Sequence, residues 1–157
     1  MANNKGKQFE DVIRKSFLKV SDVSIDRLRD APRKLKNVDN PSDFIVYKKP
    51  HEIYAECKSH RGNTLPFSCI REEQIKGMSE KAKIDGVKAG IIIWFIDHDL
   101  TYWVPIDEVV CWRDMGNKSI NIKDIYKFNY IEITGKKRRI YFDYDMNKFL
   151  EDLYEQV

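Results

Sequence analysis

Residues 51–60, HEIYAECKSH, carry the only Asp/Glu-any-Lys triplet in the chain, Glu56-Cys57-Lys58, at the end of an apolar, alternating run. Side chains alternate along a strand, so Glu56 and Lys58 share one face and Cys57 points the other way, into the core. Asp43 begins the partner strand of a hairpin folded at residues 48–51, and is expected somewhat beyond direct register with Glu56 but at the same end. Two carboxylates with no His or Cys ligand beside them make a hard oxygen site, suited to Mg²⁺ with Mn²⁺ as a possible substitute. A cation there is electrostatically natural, because each carboxylate alone would repel the other. The chemistry such parts support is phosphodiester hydrolysis. A divalent ion lowers the pKa of the attacking water and neutralises charge on the phosphorane-like transition state. Lys58 adds a second positive charge beside the water or the scissile phosphate. The competing reading is an exposed Glu56–Lys58 ion pair on a sheet, contributing only ~0–1 kcal/mol. The triplet alone leaves both open.

The elements that must hold these residues follow from periodicity. Residues 7–19 carry Phe9, Val12, Ile13, Phe17 and Leu18 at helical spacing, with Glu10 beside the stripe. Residues 20–41 read as irregular and basic, with Pro32 and Pro41 opposing regular structure. DFIVY (43–47) and residues 52–59 read as antiparallel strands around the turn KKPH. RGNTLP (61–66) reads as a loop, residues 70–84 as a helix ended by Gly86, and AGIIIWFI (89–96) as a buried strand. DHD (97–99) turns the chain into the strand LTYWVP (100–105), and 106–112 follows as a short helix. Strands near 128–134 and 139–144 are expected to flank a turn at Gly135–Lys136, before an amphipathic helix over 146–155. That order implies an α/β protein, a mixed central sheet with flanking helices.

At 157 residues the chain fits one domain, residues 1–157. No run is long enough to span a bilayer, and the N-terminus MANNKGKQFE lacks the apolar stretch of a secretory signal, so the cytoplasm is the expected location and no membrane partner is expected. Three scattered cysteines, Cys57, Cys69 and Cys111, form no CxxC or Cys/His cluster. They argue against zinc and a disulfide framework and read as reduced core thiols. The net charge is only +3, but Lys5–Lys36 holds ten Lys or Arg against five Asp or Glu, and KKRR (136–139) forms a second basic cluster. Such patches fit an anionic polymer as well as they fit a solvated surface.

The segment NPSDFIVYKKPHEIYAECKSHRGNTLPFSCIREEQIKGM (40–78) resembles the core of the RecU-type Holliday junction resolvases, within the PD-(D/E)XK nuclease superfamily. The resemblance runs from about Gly6 to about Trp112. It is strongest at Asp43–Phe44, Glu56–Cys57–Lys58, NTLPF, REEQI and WFIDHDLTYWVPIDEV (94–109). It implies a restriction-endonuclease-like fold and a single nuclease domain. It also implies that Asp43, Glu56 and the main-chain carbonyl of Cys57 bind metal, with Lys58 as the catalytic lysine. Gln74 matches a glutamine lining the family's site. Glu10 matches an acidic residue on the first helix of many superfamily members, where it binds metal through water or pairs with a basic neighbour. Ser42 stands where a hydroxyl residue precedes the aspartate. The departure is the stalk: RecU-type enzymes insert a long protrusion before the catalytic aspartate, and only residues 20–41 stand there. Archaeal junction resolvases share the G-x-x-x-E pattern, Gly6 to Glu10 here, and lack a stalk. Arg27, Arg29, Arg33, Lys34 and Lys36 remain as candidates to grip DNA phosphates.

Three functions are expected to compete. The first is a Mg²⁺-dependent endonuclease that resolves four-way DNA junctions as a homodimer, two symmetric cuts needing two sites about a two-fold axis. The second is a nuclease of the same fold acting on flaps, foreign or linear duplex. The third is a non-catalytic nucleic-acid-binding module with a structural Glu56–Lys58 pair. For a dimer interface the candidate aromatics are Tyr47, Tyr54, Trp103 and Trp112.

Overall fold

The computed structural model describes residues 4–28 and 40–156. Helix α1 (Asn4–Phe17) buries Phe9, Ile13 and Phe17, one residue per turn on one stripe, and closes with Arg14 and Lys15 at its C-terminal, negative dipole end. Leu18 lies past the helix and is exposed, so it is not part of the stripe. Next come β1 (Ser24–Arg27), β2 (Phe44–Lys48), β3 (His51–His60) and β4 (Thr64–Pro66). Helix α2 (Glu72–Ala82) leads to β5 (Val87–Phe95), β6 (Leu100–Pro105) and α3 (Ile106–Asp114). The chain ends with β7 (Ser119–Asn121), β8 (Ile131–Glu132), β9 (Gly135–Lys137), β10 (Phe142–Tyr144) and α4 (Met146–Glu155).

The main sheet has the order β1-β2-β3-β5-β6-β8, and β3–β5 is its parallel pair. α2 makes the crossover between those strands, as a parallel connection requires. Both faces of β3 and β5 are covered, which explains the unbroken apolar run of β5. One face packs Ile53, Ala55, Cys57, Ile92 and Trp94 against α1 and α4. The other packs Tyr54, Ile91, Ile93 and Phe95 against α2 and α3. The result is a three-layer α/β/α arrangement: the mixed sheet with flanking helices that the element order implies, of the restriction-endonuclease-like class that the resemblance implies.

Five local expectations change. Residues 20–41 are not irregular throughout: β1 pairs antiparallel with β2, Ser24 opposite Tyr47. Within 61–66, Thr64–Pro66 forms β4 and pairs with β7. The C-terminal hairpin turns at 138–141, where Arg138 N–H donates to Tyr141 O over 2.7 Å, and not at Gly135–Lys136. Gly135 is instead inside β9, because a Cβ there would sit 2.2 Å from Asp143 O. Of the cysteines only Cys57 is a core thiol; Cys69 and Cys111 are exposed. Tyr54 and Trp103 are buried, so of the four candidate interface aromatics they are removed, and Tyr47 is the exposed one.

Candidate active site

The β2–β3 hairpin sets the site. Its last register pair is Phe44 with Ala55, which leaves Asp43, just before β2, at the same end of the hairpin as Glu56. There β2 ends and the ladder changes partner: Cys57 N–H donates to Asp43 Oδ2 over 2.8 Å. The N–H and C=O of one strand residue point to the same side, so the Cys57 carbonyl also turns towards the Asp43 carboxylate. The Cys57 thiol goes the other way into the core, and burial pushes it up, so it is an inert, neutral group.

Ser42 fixes the approach to Asp43. It is buried, and its hydroxyl donates to Phe44 O over 2.8 Å. Ser42→Ala leaves that carbonyl without its partner, and should lower stability by about 1 kcal/mol. For a domain of this size that is about 2–4 °C in Tm. Function should fall with it and return in Ser42→Thr, as measured by melting and by turnover.

Glu56 is 1% exposed. Its Oε1 meets Lys58 Nζ at 3.1 Å, and its Oε2 is buried with no hydrogen-bond partner. The Glu56–Lys58 pair therefore exists, but it is not the exposed surface pair of the competing reading. Gln74 is buried on the first turn of α2; its Oε1 accepts from Arg71 N–H at 3.4 Å, which turns its NH₂ towards the Glu56 carboxylate. Burial raises the pKa of Glu56 against the opposing pull of Lys58 and Gln74. Burial, then Glu56, then Glu10 push the Asp43 carboxyl up to about 8, against the Cys57 N–H and Lys58. Two acids held above their ordinary range, one with an orphaned oxygen, mark a place that wants positive charge.

These residues line one cleft of about 620 Å³, together with Gly6, Lys7, Glu10, Arg27, Ser59 and Arg71. Glu10 reaches it from α1 and is ion-paired with Arg27 on β1. The structure thus brings together Asp43, Glu56, Lys58, Gln74, Glu10 and Arg27; Arg29, Arg33, Lys34 and Lys36 lie outside the described residues. Lys7 and Arg71 were missed by sequence reasoning. The available signal was position: Lys7 stands one turn before Glu10, and Arg71 one turn before Gln74.

The cleft fits a hydrated hard cation. Asp43, Glu56 and the Cys57 carbonyl supply oxygen only, and among the described residues no three His, Cys, Asp or Glu side chains cluster as a full protein cage would need. Mg²⁺ keeps several waters and takes one or two carboxylates, which matches that donor set.

The family model of RecU, recombination protein U, matches residues 4–146. The chain belongs to the RecU family. The structure of Hjc from Archaeoglobus fulgidus, a Holliday junction resolvase from an archaeal hyperthermophile, superposes with a TM-score of 0.55 at 14% identity, over 78% of this chain and 93% of that one. That likeness establishes the shared fold. No curated protein matches significantly in sequence. The RecU match spans α1 to the start of α4, so it includes every residue of the cleft and extends well past Trp112, where the sequence resemblance faded. Among the described residues of this RecU-family chain, no helix is long and apolar enough to cross a membrane.

Proposed function

We propose that this RecU-family chain is a Mg²⁺-dependent endodeoxyribonuclease that resolves four-way DNA junctions as a homodimer, with Mn²⁺ able to replace Mg²⁺. The observation that carries the reading is the buried, partnerless Oε2 of Glu56, which shares an open, polar cleft with Asp43. Asp43, Glu56 and the Cys57 carbonyl would hold the ion, which supplies an activated water and charge neutralisation at the phosphate.

The chain's own groups do the rest. Lys58 is half-buried and within reach of Glu56, so its ammonium stands beside the reacting phosphate and stabilises charge that develops there. Gln74 holds the Glu56 carboxylate in its charged form and in one orientation. Glu10 keeps Arg27 extended across the cleft mouth. Arg27 and Arg71 line the cleft and would orient the DNA backbone, since Arg offers phosphate a bidentate fork. The free thiols Cys57, Cys69 and Cys111 suit the reducing cytoplasm, where we place the activity.

The test is a panel of synthetic four-way junction, flap, single-stranded and linear duplex DNA, each with Mg²⁺, Mn²⁺ or chelator. Paired symmetric nicks in the junction, dependent on metal, are expected. Equal cutting of linear duplex would keep the nuclease and remove the junction. No cutting with either metal would leave only a DNA-binding module. Sedimentation of the free protein and of its junction complex reads the dimer.

A further inference from the structure

The second basic cluster, KKRR, is used by nothing in the cleft. Its four residues sit on the hairpin formed by β9 and β10, a separate two-stranded sheet that stands beside α1. The turn at 138–141 puts Arg139 and Ile140 at its tip. All four basic residues are exposed. Two are spoken for: Lys137 is paired with Asp99, and Arg138 with Asp143 at 2.6 Å. Lys136 and Arg139 have no ion-pair partner among the described residues.

The hairpin is held at a defined place. Tyr141 packs on Trp94, with ring centroids 5.6 Å apart, and its hydroxyl donates to Gln8 on α1. Tyr144 packs edge-on against Phe9 of the same helix. Trp94 is paired in register with Ser59 of β3, which lines the cleft. Gln8 lies between Lys7 and Glu10, which line it as well. The first turns of α1 are therefore shared: one side borders the cleft, the other carries the hairpin. The two unpaired cations are thus carried by a hairpin packed on α1, the helix whose Gly6, Lys7 and Glu10 line the cleft. Arg27 reaches the same cleft from β1, an edge strand of the main sheet.

The geometry points to the β9–β10 hairpin as a second phosphate-gripping element, with Lys136 and Arg139 holding the backbone of a DNA arm that leaves the cleft across α1. This rests on the DNA-cutting reading of the cleft, and it adds where the duplex runs. A hairpin with paired inner charges and free outer ones suits backbone positioning: it presents a point charge and a guanidinium fork to phosphates. Only the two outer residues would exchange counterions with DNA, so each should add about 0.9 to the slope of log K against log salt.

The experiment measures junction binding in chelator, without cleavage, over a salt series for wild type, K136Q/R139Q and K83Q. Lys83 is an exposed control at the end of α2. It lies beside the turn at Gly86, whose carbonyl bonds Glu52 at the far end of β3. The double variant is expected to lose about 1.8 of salt slope and about tenfold of affinity near physiological salt, while K83Q matches wild type. The melting temperature of K136Q/R139Q should stay at the wild-type value, because exposed, unpaired side chains hold little stability. A slope for K136Q/R139Q equal to wild type, or an equal loss in K83Q, overturns the inference. Failure of the underlying reading looks different: wild type would then leave every DNA uncut in Mg²⁺ whatever the slopes show.

Discussion

Glu56→Gln protein is expected to bind a four-way junction as wild type does and to cut it at least about a thousandfold more slowly, a barrier increase of about 4 kcal/mol. The substitution keeps the shape of the side chain and removes the charge that faces Asp43. Lys58→Ala should lose about a hundredfold to a thousandfold, because it removes one preorganised charge held 3.1 Å from the buried Glu56 carboxylate. The reason to expect such losses is the cost already present in the fold. Glu56 is buried, its Oε2 has no partner, and a second acid stands across the hairpin. A carboxylate kept for stability would be fully hydrogen-bonded. The two roles separate in one measurement: if Glu56 serves chemistry, Glu56→Gln melts no lower than wild type in chelator, since it relieves burial of charge. Retained cutting, or loss of cutting that tracks a large fall in Tm, would refute the assignment.

That pattern explains why the centre of the site was legible in the sequence. Strand alternation alone puts Glu56 and Lys58 on one face and Cys57 on the other, and the structure keeps that arrangement. The apolar run of β5 and the stripes of α1 and α4 are equally local signals. The nearness of Asp43 to Glu56 was legible too, because the two residues of the turn, Lys49 and Pro50, set every pairing of β2 and β3. What was not legible depends on distant partners. β1 is four residues with mostly exposed side chains, and it exists because β2 offers it an edge. β4 and β7 are three residues each and define one another across the chain. Gly135 was read as a turn residue, whereas its lack of a side chain serves the close approach of Asp143. Gln74 could be placed from resemblance, but Arg71 and Lys7 enter the cleft only through the way α2 and α1 dock on the sheet.

The second large effect is on the pH dependence of stability and metal binding. Asp43 has an ordinary pKa of 3.8 and is pushed up to about 8 in the fold, first by burial and then by Glu56. Between those values the folded protein holds a proton that the unfolded chain has released. Stability then falls as pH rises, because the unfolded state binds fewer protons. In metal-free protein this group's contribution should accordingly be whole below about pH 3.8 and be lost progressively from there to about pH 8. A cation reverses the trend. It must displace that proton, so its affinity rises with pH until Asp43 is ionised unaided. At about pH 8.5, Mg²⁺ at ten times its Kd should add about 1.4 kcal/mol, or about 3–6 °C. At about pH 6 the same concentration should add much less, because proton and metal compete. Asp43→Asn should shrink the metal-free slope to the share that buried Glu56 contributes and abolish the Mg²⁺ shift. Calorimetry in two buffers of different ionisation enthalpy gives a further check, since Mg²⁺ binding at neutral pH must release a proton from wild type and none from Asp43→Asn. A Mg²⁺ shift in Tm that is independent of pH, or that survives in Asp43→Asn, would place the ion elsewhere and leave the raised carboxyl of Asp43 without a function.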